Sequence, residues 1–178
     1  MARRRSLLAV CGTVSLGLTG GCVEELAGDG QVSDTDKRRE ILELYDRGIG
    51  DYNEATETRD LGIRLFNDEQ HEQARNEFQS ALNEYQKAEQ QFVGASTHAE
   101  ELGADEASEL IDRAIQRVAL EQKGTEMGID LAEAAIQGEG ASEINARIEE
   151  FREVVEEAQE YPFVEAEELS EALGFETR

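Results

Sequence analysis

The chain has 178 residues, 41 of them Asp or Glu against 17 Lys or Arg, for a formal net charge of −24. Phosphate recognition needs a basic stripe and this sequence has none, which excludes nucleic-acid binding. Apolar residues make up 39% of the chain, enough for one domain with a core, while a single proline, no tryptophan and long Ala/Glu/Leu/Gln/Arg stretches argue against a β-rich fold.

Residues 1–21 carry a targeting pattern. Arg3, Arg4 and Arg5 precede an apolar stretch from Leu7 to Leu18, and Gly20, Gly21 and Cys22 follow. The twelve residues from Leu7 to Leu18 reach about 18 Å as a helix, short of a ~30 Å hydrocarbon core, so the pattern reads as an export signal and not as a spanning helix. The chain has two cysteines, Cys11 inside the apolar stretch and Cys22 directly after Gly21. Cleavage before Cys22 leaves it as the mature chain's only cysteine, with no internal disulfide. Arg4-Arg5-Ser6-Leu7-Leu8 resembles a twin-arginine export signature. Leu18-Thr19-Gly20-Gly21-Cys22 resembles a lipobox, with Thr19 where bacterial lipoboxes carry an aliphatic residue. The resemblance implies that Arg4 and Arg5 are read for export and that the Cys22 thiol takes a lipid.

Residues 22–35, rich in Gly, Ser and Asp and without apolar period, read as a flexible tether. From Asp36 to residue 178 the pattern is that of a helical bundle domain. In the first helix Ile41, Tyr45, Gly48, Tyr52, Ala55, Arg59, Gly62 and Phe66 step by four and three, flanked by Leu42, Ile49 and Ile63. After Asn67-Asp68, which the spacing makes a turn and cap, the second helix continues the step from Ala74 through Phe78, Tyr85 and Phe92 to Leu102. This 3.5-residue spacing is a coiled-coil pattern. Pairing the two seams across the turn stacks Tyr45 on Phe92, Tyr52 on Tyr85, Phe66 on His71 and Arg59 on Phe78, the last as a cation–π contact. Small layers such as Ala55–Ala81 alternate with these aromatic ones.

Gly103 is expected to stop the second helix and Asp105 to cap a third, which runs to about Gln137 with Ile111, Ile115, Val118, Ile129, Ala132 and Ile136 on one face. Gly138-Glu139-Gly140 breaks it, and Ser142 is expected to cap a fourth helix bearing Ile144, Ile148, Phe151, Val155 and Ala158. Pro162 ends that helix, and Val164 to Leu173 forms a short fifth. Three helices of similar length, with the fourth and fifth together matching them, predict an all-α, antiparallel up-down four-helix bundle with a short C-terminal fifth helix.

Only three of the basic residues are lysine, Lys37, Lys87 and Lys123. That scarcity beside abundant Glu and Asp resembles the proteins of halophilic archaea and implies a fold whose stability rises as salt screens its self-repulsion. Leu61, Gly62, Leu65, Ala74, Phe78 and Ala81 resemble a single tetratricopeptide repeat over about residues 55–88, which implies a peptide-binding hairpin.

No metal or cofactor is expected. His71 and His98 lie on one helix too far apart to share an ion, and no His-Glu-x-x-His, Gly-rich phosphate cradle or calcium loop occurs. No Gly-x-Ser-x-Gly turn or cysteine–histidine setting supports a nucleophile, so no catalytic residue is assigned and no enzyme is expected. The sequence therefore describes a lipoprotein attached through Cys22 to the extracytoplasmic face of the cell membrane, with a structural or protein-interaction role toward a partner it does not name. The competing reading is a bundle that holds a small ligand or cofactor between its helices.

Overall fold

A computed structural model describes residues 33–175, which form five helices and no strand. They are α1 (Asp34–Asn67), α2 (His71–Glu101), α3 (Asp105–Gln137), α4 (Ala141–Ala158) and α5 (Ala166–Ala172). The protein is an all-α helical bundle, as the apolar periodicity predicts. None of these helices is long and apolar enough to cross a membrane.

Helix α1 begins at Asp34, two residues ahead of the expected Asp36, because the Ser33 hydroxyl accepts from the Asp36 amide at 3.2 Å. Asp34 and Asp36 in the first turn and Arg64 in the last complement the helix dipole. Asp68 caps the end of α1, donating its amide to the Arg64 carbonyl at 3.0 Å, but the caps expected at Asp105 and Ser142 are not the caps observed. Helix α2 starts after Gln70, α3 after Ala104 and α4 after Gly140. The turns close through the main chain instead. Gln70 donates to Leu65 at 2.9 Å, Ala104 to Ala99 at 2.9 Å and Glu139 to Ala134 at 3.0 Å. In each turn the residue before the donor holds a left-handed φ: Glu69 at 60°, Gly103 at 67° and Gly138 at 75°. At α4, Glu143 reaches back to accept from the Gly140 amide at 3.3 Å.

Helix α1 packs on α2, α2 on α3, and α3 on α4, while α5 lies against both α1 and α3. The fourth column of the bundle is thus split. Helix α4 occupies its first half and makes no close backbone approach to α1. Residues 159–165 cross from α4 to α5 as a strap, and the fifth helix is shorter than expected at both ends.

The buried residues of α1 reproduce the expected stripe from Ile41 to Gly62, with Phe66 half-buried at its end. Those of α2 reproduce it from Ala74 to Ala99. The expected ring pairs form: Tyr45 with Phe92 at 5.2 Å, Tyr52 with Tyr85 at 5.6 Å and Phe66 with His71 at 5.1 Å between centroids. Helix α3 departs from expectation. Ile136 is exposed and Ile115 and Ile129 only half-buried, while Glu121, Gly124, Thr125 and Gly128 fill the middle of its buried face.

Candidate functional site

The apolar core is divided. A large cluster joins Ile41, Tyr85, Phe92, Ile111 and Val118 to Leu169 of α5, and a small one gathers Ala74, Phe78 and Ala132 near the α1/α2 turn. Between these levels α1 and α3 face each other through charge. Arg59, expected over Phe78, turns instead to α3, where its guanidinium donates to the Glu121 carboxylate. Arg59 is 7% exposed and Glu121 2%, so this is an ion pair inside the bundle.

Its neighbours complete a polar girdle. The Tyr52 hydroxyl donates to Glu121 Oε1 at 3.0 Å, and Arg117 Nε donates to that hydroxyl at 2.9 Å. Thr125 donates to the Glu121 carbonyl at 2.7 Å, and the Thr56 and Tyr85 hydroxyls share a hydrogen bond of 3.0 Å. Arg59 also binds Asp60 at 2.9 Å. Burial opposes the Arg59 charge, but the oxygens of Tyr85, Glu121 and Asp60 outweigh it and hold the guanidinium protonated. Burial pushes the Tyr52 and Tyr85 hydroxyls above the ordinary tyrosine value, Tyr85 strongly and against the opposing Arg59 charge. Each charged group in the girdle has a hydrogen-bonding partner, as burial requires. Its chemistry is that of a lock between α1 and α3, with no free nucleophile or base.

The strap is pinned to the same face. Val164 donates its amide to the Tyr45 hydroxyl at 3.0 Å, and Arg117 Nη1 donates to the Tyr161 carbonyl at 3.3 Å. Phe163 lies edge-on to Tyr52 at 4.6 Å, and the Arg117 guanidinium sits 4.9 Å from its ring centre. Cation–π contact is therefore present, but it belongs to Arg117 and not to Arg59.

Past the girdle, where α4 and α1 stay apart, an apolar crevice of about 120 Å³ opens between Ile63 and Phe66 on one side and Ile148 and Phe151 on the other. Phe78 forms its floor, set between Gly62 and Gly128.

Of the residues singled out in the sequence, Arg4, Arg5 and Cys22 lie outside the described residues. His71 opens α2 and lies against Phe66 with the two rings tilted by 54°, and His98 lies in its last turn within 3.8 Å of Glu40 and 3.6 Å of Glu101. Among the described residues no group of three His, Cys, Asp or Glu is placed to hold a metal ion. The sequence reading missed Glu121, Arg117 and Thr125. A lone glutamate on a chain full of surface glutamates carries no signal of burial, and only its place among the small buried residues of α3 could have marked it. No known protein family, curated protein or solved structure matches this chain.

Proposed function

We propose that the chain is exported and anchored by lipid on Cys22 to the outer face of the cell membrane, where its acidic bundle serves as a structural or protein-docking module. The observation that carries this reading is the order of the basic run Arg3–Arg5, an apolar stretch too short to span, and Gly20-Gly21-Cys22. Each buried methylene of a lipid chain contributes about 0.8 kcal/mol, and two chains suffice for stable anchoring where one is marginal. The tether ahead of the helix start at Asp34, the eleven residues from Val23 to Ser33, then gives a reach of roughly 18 Å. The turns at Asp68–Gln70 and Gly138–Gly140 lie at the end of the bundle away from Asp34. In this reading they are its outermost, partner-facing tips. A rigid core supports a docking role: the girdle and the ring pairs hold three long helices in one register.

The experiment is fractionation of cells carrying Cys22→Ser. The variant is expected in the medium with an unchanged helical spectrum. Retention in the membrane after a high-salt wash would mean that residues 7–18 are an uncleaved anchor, and the lipoprotein reading would fail.

A further inference from the structure

The crevice between α1 and α4 goes beyond anchoring and stands independently of it. Helix α4 carries Ile144, Ile148 and Phe151 at spacings of four and three, a stripe suited to full burial, yet all three are only half-buried. Across the gap Ile63 and Phe66 of α1 are half-buried as well. The two apolar faces look at each other without closing, because α4 rests on α3 and makes no close backbone approach to α1.

The floor keeps the space open. Phe78 is 2% exposed and its ring is in close contact with the backbone positions of two glycines, Gly62 and Gly128. A methyl group at Gly62 would stand 2.9 Å from the ring and one at Gly128 3.0 Å from it. Two side chains missing on α1 and α3 thus seat the ring deep in the bundle, and the volume above it is left to the crevice.

Size and polarity select the occupant. The volume of about 120 Å³ is close to that of an engineered apolar cavity of about 150 Å³ that takes up benzene. It is too small for a lipid chain or a helix of another protein. The rim offers Asn67 and Arg152, and the Arg152 guanidinium is already paired with Glu149 at 2.8 Å. Apart from that exposed ion pair the lining is apolar save for Asn67, and a chain of net charge −24 repels anions. We propose that this crevice is a binding site for a neutral, single-ring apolar molecule.

Toluene is the probe, added to the full chain in molar KCl and followed through the methyl NMR signals of Ile63, Leu131 and Ile148. These signals should shift together and saturably, with one-to-one stoichiometry. Ile63→Phe fills the crevice from a half-buried position and should weaken toluene binding at least tenfold while the helical spectrum is kept. Ile148→Phe fills it from the α4 side with the same expected loss, and Gly50→Ala, remote from the crevice, should leave binding unchanged. Absence of a saturable shift in the wild-type protein overturns the proposal. So does unchanged affinity in the folded filled variants, which would put toluene elsewhere. A wild-type dimer that protects these methyls until it dissociates also overturns it, by assigning the crevice to a second copy of the chain.

Discussion

Arg59 on α1 and Glu121 on α3 form an ion pair closed off from solvent, at the level where the apolar core divides in two. Taking one partner away leaves the other charged in the interior. Glu121→Leu is expected to cost about 3–5 kcal/mol, whereas replacing both residues by apolar ones of similar volume, Arg59→Met with Glu121→Leu, should cost much less or stabilise. Denaturant unfolding followed by circular dichroism, arranged as a double-mutant cycle, measures the coupling. Additive costs would show that the pair contributes nothing as a pair.

Tyr45, Tyr52 and Tyr85 give the bundle an alkaline limit. Burial is the main cause in each, and it holds all three hydroxyls above their ordinary value of 10.0 in the folded protein. The unfolded chain therefore loses these protons first as pH rises. Their stabilisation is complete below about pH 9 and declines from about pH 10 upward, by up to about 1.4 kcal/mol per pH unit for each tyrosine. Unfolding free energies measured from pH 8 to 11.5 should show this decline, and Tyr85→Phe should make it shallower. An unchanged slope in Tyr85→Phe would show that the hydroxyl titrates without unfolding.

Much of this core was legible in the sequence. The unbroken four-and-three steps of α1 and α2, with short turns between similar lengths, determine both the bundle and the register that brings Tyr45 onto Phe92 and Tyr52 onto Tyr85. Arg59 went astray because a seam drawn between two helices ignores the third. Its true partner stands on α3, at a position with no apolar signal. The isoleucines of α3 misled for the same reason. Opposite Phe78 and Arg59 that helix needs small or polar residues, so Gly128 and Glu121 take the buried face there, Gly124 lies under Val154 and Val155 of α4, and Ile136 is turned out. Preferred capping residues at 105 and 142 were outweighed by main-chain bonds that close the turns without them. Nothing in the periodicity of α4 shows that it stops short of α1, because half-buried and buried stripes are written alike.

Glu69 holds the left-handed position that Gly103 and Gly138 hold in the other two turns. A side chain there costs on the order of 1 kcal/mol. Glu69→Gly is expected to recover part of this, raising stability by about 0.5–1 kcal/mol, and Gly103→Ala to lower it by a similar amount. Thermal unfolding of the two variants side by side checks the signs. A destabilised Glu69→Gly would show that the glutamate side chain contributes more than its backbone costs.

Gly48 and Gly50 separate packing from propensity on one helix. A methyl group at Gly48 would lie 2.7 Å from the Phe92 ring, while at Gly50 it would meet nothing within 4 Å. Gly50→Ala should stabilise by up to about 1 kcal/mol through helix propensity. Gly48→Ala should destabilise by about 1–3 kcal/mol, as should Ala81→Leu in the same seam. Equal effects at positions 48 and 50 would contradict the close approach of α1 and α2.

The central claim is the lipid on Cys22, and mass spectrometry of the mature protein extracted from membranes tests it most directly. The expected result is an N-terminal peptide that begins at Cys22 and carries a lipid mass on its sulfur. An N-terminal peptide that retains residues 1–21, or one that begins at an unmodified Cys22, would contradict it.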